Sequence, residues 1–248
     1  MYGGGALIAT SCANNSNSSN NGGSGGSEAP IGPIGSKSAP DAVGDIVFSD
    51  GTAEAYSAGL NLTQAQKNAA VAVIFYTAPI NTTSGSIDLG TKKLGVGFKK
   101  GASLKWAPSS ATGFSTTFST SESDGSGYWT VIKNADSTGA ASAATNYPAF
   151  NFCNAYGVAV AGSSTGWYLP AKNELEALCW KRGSVDSYIG KVDESGTIVD
   201  KLGDYDYWSS SQISDQNDVA WTANFGSGLT NRTQKGNPLS VRAIRVFN

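Results

Sequence analysis

The chain predicts an α+β domain, two helices packed on mixed or antiparallel short strands. Three observations carry the α+β expectation: a strand-rich first half, two amphipathic helical stretches between residues 148 and 179, and short strand patterns from Tyr207 onward. The order β, α, α, β groups like elements together, as α+β domains do, instead of alternating them along a parallel sheet.

Each element has a local reason. DIVFS, Asp45 to Ser49, ends at the turn pair Asp50-Gly51 and reads as a strand. TQAQ, Thr63 to Gln66, fits a capping box and starts a short helix. That helix gives way to AVAVIFY, Ala70 to Tyr76, β-branched and aromatic enough for a buried strand. LGVGF, Leu94 to Phe98, alternates glycine with apolar residues. Ala149, Phe152, Cys153 and Tyr156 then fall at i, i+3, i+4 and i+7, with Pro148 at the start and Gly157 past the end of a helix. A second helix begins at Pro170, with Leu175, Leu178 and Cys179 on one stripe. VRAIRV, Val241 to Val246, closes the chain as a strand. Arg242 and Arg245 are three apart on it and point to opposite faces, which makes one of them an internal hydrogen-bond hub. For Cys153 and Cys179 both a disulfide and two buried thiols stay open.

Composition then removes whole classes of function. The 248 residues, 40% hydrophobic with 31 Gly and 6 Trp, can bury a sizeable core in one or two domains. A net charge of -2, from 17 basic and 19 acidic residues, gives no footprint for nucleic acid or an anionic membrane surface. There is no His, so Ser-His and Cys-His pairs, His-ligated metals and imidazole bases are excluded. Glu174 and Glu176 lie two apart on a helix and face different ways, a solvated face and not a catalytic pair. The expectation is therefore a protein that is not an enzyme and has no cofactor.

The first forty residues are of another kind. ALIATSC, Ala6 to Cys12, is a short apolar run ending in small residues before a Cys, and residues 13–40 are rich in Asn, Ser and Gly. Such a segment buries too little to order itself, and the 28 residues from Ala13 to Pro40 reach roughly 30 Å as a flexible chain. ALIATSC resembles a lipobox, which implies lipidation at Cys12; residues 1–12 are then a partial signal and 13–40 a tether. Met1 to Gly5 lacks Lys and Arg, and the apolar run is shorter than the about 7 to 15 residues of a signal h-region, which fits a start lying further upstream. A free Cys in a disordered tail is the alternative.

In the globular part, from Asp41 to Asn248, a set of words stands in this order: GWYLPAKNELEAL (Gly166 to Leu178), YWSSS (Tyr207 to Ser211), Ala220-Trp221, Asn224-Phe225, Lys235 and VRAIRV. This set resembles the C-type-lectin-like fold of formylglycine-generating-enzyme-type domains and their bacterial surface relatives. Among these it is similar to the Treponema variable protein type, surface lipoproteins diversified by a retroelement. The resemblance implies a variable region at about 204–248, whose fixed residues hold the fold while interspersed ones are rewritten at adenines. It also implies an anchored protein on the outer membrane at the cell surface. Formylglycine-generating enzymes need a late cysteine pair, and no Cys follows Cys179, so their chemistry does not carry over. Gln216 to Asp218 resembles part of a calcium-dependent sugar site, but its companion triplet is missing, and no Ca²⁺ is expected.

Randomising both adenines of an AAC codon reaches Asp, Ser, Gly, Thr, Ile, Val, Leu and Arg but never Lys, Glu, Gln, Met or Trp. Ile213, Ser214, Asp215, Asn217, Asp218, Ser227, Leu229, Asn231, Arg232, Thr233, Asn237, Leu239 and Ser240 are all reachable, while Gln216 and Gln234 are not. With Asp204 and Asp206 these residues form the expected ligand-binding set. An ordinary polar loop has the same composition. Tyr205 and Tyr207 are expected at the rim, and Trp208, Trp221 and Phe225 in the core beneath.

The function expected is a surface-displayed module, monomeric, binding a protein or glycan at the cell exterior and touching the membrane only through its lipid. A glycan-binding adhesin of fixed specificity and an envelope structural protein without ligand are the alternatives. Expressed from its full-length gene in its own host, the protein should partition into detergent and incorporate labelled palmitate at Cys12. The anchor reading fails if Cys12→Ala changes neither behaviour.

Overall fold

The strand predicted from VRAIRV lies in the interior of the sheet and organises it. The computed structural model describes residues 32–83, 85–159, 165–193 and 199–247. The chain begins with β1 (Ile46–Phe48), β2 (Ala53–Glu54), α1 (Gln64–Ala69), β3 (Ala70–Tyr76), β4 (Ile80–Thr82), β5 (Gly85–Ile87) and β6 (Lys93–Leu104). A helical stretch follows: α2 (Tyr128–Ala135), α3 (Ser137–Ala141), α4 (Ala143–Asn146) and α5 (Pro148–Ala159). After β7 (Trp167–Tyr168) come α6 (Lys172–Trp180) and α7 (Arg182–Val192), then β8 (Asp206–Ile213), β9 (Gln216–Asn224), β10 (Leu229–Gln234) and β11 (Leu239–Phe247).

Among the described residues the main sheet has the order β10-β9-β8-β11-β6-β3-β1-β2, with β7 also on β11, and β4 and β5 form a separate hairpin. β11 pairs antiparallel with β6 and β7 and parallel with β8 at Ser240 and Tyr207. The α+β class holds, on a mixed, mostly antiparallel sheet.

Local chemistry explains the elements. The Thr63 hydroxyl accepts from the Gln66 amide at 3.2 Å, and the Gln66 side chain accepts from the Thr63 amide at 3.0 Å, so the capping box starts α1 as expected. β3 is buried along its whole length because helices cover both faces of the sheet. Val73 and Phe75 join Leu175, Leu178, Val185 and Ile189 of α6 and α7 in one core cluster. Ile74 joins Phe150 and Cys153 of α5 in the other. The two helices expected from sequence therefore lie on opposite faces. The glycines of LGVGF are explained by close approach: a Cβ at Gly97 would fall within the Tyr156 ring, and one at Gly95 would meet Phe247.

Several expectations change. α5 runs through Gly157 to Ala159, and α2, α3, α4 and α7 are additional helices. α7 buries Val185, Ile189 and Val192, an i, i+4, i+7 stripe whose signal Gly183 and Gly190 dilute. Cys153 and Cys179 are free thiols; they belong to the clusters on opposite faces of the sheet, too far separated by it to bridge. Bonded structure begins upstream of Asp41: the Ile34 amide donates to Asp50 at 3.0 Å, the Gly35 amide to Thr52 at 2.8 Å, and Lys37 bridges to Ala53. Cys12 and residues 13–31 lie outside the described residues.

Trp208 is fully buried and its indole donates to the Leu104 carbonyl at 2.9 Å. Trp221, expected in the core, is half-buried and outside both clusters. Urea unfolding should show Trp208→Ala losing about 3 to 5 kcal/mol and Trp221→Ala about 1 kcal/mol or less. Equal losses would contradict this placement.

Candidate functional site

The C-terminal strands present their side chains around the β9–β10 hairpin. Its turn is closed by Asn224, whose side chain accepts from the Ser227 amide at 2.7 Å and whose carbonyl accepts from the Gly228 amide at 2.9 Å. Gly228 takes φ 75°, a left-handed conformation that favours glycine. From the turn the register is regular, Leu229 opposite Asn224 through Gln234 opposite Val219. β10 is the sheet's edge, so its side chains are largely exposed.

The expected binding residues divide by exposure. Asp204, Ser214, Asp215, Asn217, Ser227, Leu229, Asn231, Arg232 and Asn237 are exposed, and Asp206, Asp218, Thr233 and Leu239 are half-buried. Ile213 and Ser240 are buried. Ile213 ends β8, a strand held between β9 and β11 and buried from Tyr207 to its end. Ser240 sits where β11 meets β8. Ile213 belongs to no open surface, and Ser240 reaches one only as part of a recess wall. Tyr205 is exposed as expected of a rim aromatic, but Tyr207 is buried and its hydroxyl donates to the Leu202 carbonyl.

Some of these residues gather into three separate features, and Ser214, Asn217, Asn231, Thr233 and Asn237 stand outside them. The first is a cleft of about 410 Å³ between α6 and the hairpin turn, where Ser227 and Leu229 meet Thr83, Glu176, Cys179, Trp180, Arg182 and Phe225. Arg182 donates to Asp204 and to the Phe225 carbonyl, tying α7 to the turn. The second is a recess of about 270 Å³ holding Asp206, Leu239 and Ser240 with Lys100, Ser103 and Tyr205. There the Lys100 ammonium lies 3.4 Å from the centre of the Tyr205 ring. The third is the sheet face around Trp221, whose ring carries Lys172 at 4.3 Å and its cross-strand partner Arg232 at 5.3 Å. Asp215 lies 3.9 Å from Arg232, and Gln234 donates to Asp218 at 3.2 Å.

Sequence reasoning missed Trp180, Glu176 and Arg182. The signal was available: Trp180 stands one residue beyond the inward stripe of Leu175, Leu178 and Cys179, so it turns outward into the cleft. Burial pushes the Cys179 thiol up to about 11, with Arg182 pulling it down and Glu176 pushing it further.

Beneath these surfaces lie buried polar groups. Lys235 is fully buried, and its ammonium donates to the carbonyls of Gly113 at 2.8 Å and Thr116 at 2.9 Å, to that of Asn217, and to that of Phe114 at 3.4 Å. It rests 4.6 Å from the Trp106 ring centre. The Gln212 side chain accepts from the Phe118 amide and donates to the Thr116 carbonyl, each at 2.7 Å. Arg242 is the expected internal hub: fully buried, it donates to Gly97 at 3.2 Å, to Lys201 at 2.8 Å and to Asp200. Glu174 is not the solvated residue expected. It is fully buried and accepts from the Ala171 amide and the Tyr168 hydroxyl at 2.9 Å and from the Gly125 amide at 3.1 Å. Burial pushes its carboxyl up, against the pull of those donors and Lys92. Among the described residues no group of three Cys, Asp or Glu is placed to hold a metal ion.

The sequence profile of the Lcl C-terminal domain family matches residues 99–245, more than half of the chain. No curated protein matches. Among solved structures, a fimbrial protein from Bacteroides ovatus ATCC 8483 aligns with a TM-score of 0.57 and 15% identity, covering 83% of this chain and 49% of that one. The chain thus spans about half the length of that protein, and at this identity the likeness is one of fold alone.

Burial pushes the Lys235 ammonium down to about 7, against a weaker upward pull from Asp218. Between about 7 and the ordinary 10.5 the unfolded chain keeps a proton that the folded chain has released, so stability rises with pH across that window; below it both states are protonated and this contribution is flat. The slope should approach about 1.4 kcal/mol per pH unit and be absent from Lys235→Met. Parallel curves for the two proteins would contradict the assignment.

Proposed function

The chain belongs to the Lcl C-terminal domain family, and we propose that it is a surface-displayed ligand-binding module, without catalysis of its own, whose ligand is a macromolecule met by the C-terminal strands. One observation carries the reading: the side chains that hold the fold and those that face solvent are segregated. Lys235, Gln212, Arg242 and Trp208 are buried and bonded inward, while Ser214, Asn217, Asn231, Arg232 and Asn237, between them in sequence, are exposed. A recognition surface needs this division, with exchangeable polar side chains and aromatic anchors on a scaffold that does not move. Trp180, Tyr205 and Trp221 supply the aromatic part.

Two finer points belong to the same proposal. The fold is of the C-type-lectin-like kind, and the exposed positions are diversified by a retroelement, a reading supported by their reach from AAC codons. The protein is held at the cell surface by lipid on Cys12. No helix among the described residues is long and apolar enough to cross a membrane. The cheapest check of diversification is the neighbouring DNA, where a near-copy of the last codons, rich in AAC, should stand beside a reverse-transcriptase gene. Its absence would leave a binding module of fixed specificity.

The binding reading is tested on glycan and protein arrays. Replacing Ser214, Asn217, Asn231, Arg232 and Asn237 together should abolish the wild-type signal while the unfolding free energy moves by about 0.5 kcal/mol or less per site. Binding that survives the substitution, or a variant that fails to fold, would place the ligand elsewhere or the scaffold here.

A further inference from the structure

Resting on the reading of a binding module, the geometry points to a more specific ligand chemistry: we propose that the cleft between α6 and the β9–β10 turn receives a lysine or arginine side chain of a protein ligand. Glu176 and Trp180 both line it and stand one helical turn apart on α6, so they project side by side from one face. A carboxylate beside an aromatic face is the pairing that recognises a cation, by charge and by the ring's quadrupole together. Trp180 is 42% exposed, so part of its ring is open to a ligand.

The cleft's own groups leave that pairing free. Arg182, the cation in the lining, is engaged by Asp204 and the Phe225 carbonyl. Glu176 has no ion pair among the described residues. The Cys179 thiol, pushed up by burial, adds no charge. Opposite Trp180, Leu229 is 63% exposed, and the two form an apolar rim suited to the alkyl stem of Lys or Arg. Leu229 also begins the edge strand β10, so a polypeptide carrying the cation has a free sheet edge beside the cleft along which to lie.

The test uses short extended peptides of Gly, Ser and Thr with one central Lys, Arg, Gln or Glu, titrated into the full chain while the Trp180 indole N–H resonance, assigned with Trp180→Phe, is followed. The Lys and Arg peptides should shift that resonance and bind roughly five- to tenfold more tightly than the Gln peptide. Glu176→Gln should erase the preference with an unchanged melting temperature. Equal response to all four peptides, a preference that survives Glu176→Gln, or choline binding as tightly as the Lys peptide would each overturn the proposal. The broader reading fails separately: an array ligand lost on substituting the sheet face but retained by Glu176→Gln and Trp180→Phe leaves the module standing and removes the cleft.

Discussion

Several backbone carbonyls converging on one buried ammonium tie the C-terminal strands to the rest of the chain. Lys235 follows the last residue of β10, and its side chain reaches Gly113, Phe114, Thr116 and Asn217 while its own carbonyl accepts from the Trp106 and Ala107 amides. Those partners span the loop after β6, the start of β9 and the end of β10. β9 and β10 pair directly through Gln234 and Val219, but residues 113–116 belong to no strand of the sheet, so their carbonyls need a donor brought from elsewhere. A single flexible stem supplies it. Because the acceptors are main-chain atoms, the clamp is indifferent to which side chains those segments carry, and Asn217 can present any side chain outward while its carbonyl stays bonded.

Glu174 and Arg242 repeat the same solution elsewhere. Glu174 receives amides from Gly125 and Ala171, so it fixes the loop before α2 and the entry to α6 at once. Arg242 gathers carbonyls from β6 and from the stretch leading to β8. A buried charge is costly unless its hydrogen bonds are satisfied. Lys235 meets that condition through backbone carbonyls and Glu174 through two amides with Tyr168 and Lys92, while Arg242 bonds three carbonyls and leaves its buried Nε without a partner; the backbone bonds locate irregular segments without fixing their sequence. Long loops can then run over a sheet that stays rigid, and the exposed hairpin inherits a foundation independent of its own residues.

The regular parts of this arrangement were legible in the sequence for direct reasons. AVAVIFY is buried on both faces and so reads as an unbroken apolar strand, and the Thr63 and Gln66 capping box names its own hydrogen bonds. The spacing of Arg242 and Arg245 announced that one of them turns inward, without saying which. Other features carried no local signal. Glu174 looks like any carboxylate on a helix until Tyr168 and Gly125 are folded against it, and Ile213 and Ser240 look like loop residues until β8 is enclosed between β9 and β11. The cleft depends on Trp180 and Leu229 meeting across sequence, which no periodicity reports.

Separation between foundation and surface is the central claim, and amide hydrogen exchange tests it most directly. Exchange would be compared along β8, β9 and β11 and along residues 112–119 in the wild type and in a protein with Ser214, Asn217, Asn231, Arg232 and Asn237 replaced together. The account predicts unchanged protection in all four segments, with differences confined to β10 and the hairpin turn. Loss of protection at residues 112–119 or in β11 would show that the exposed side chains help to hold the fold, and the separation would not exist.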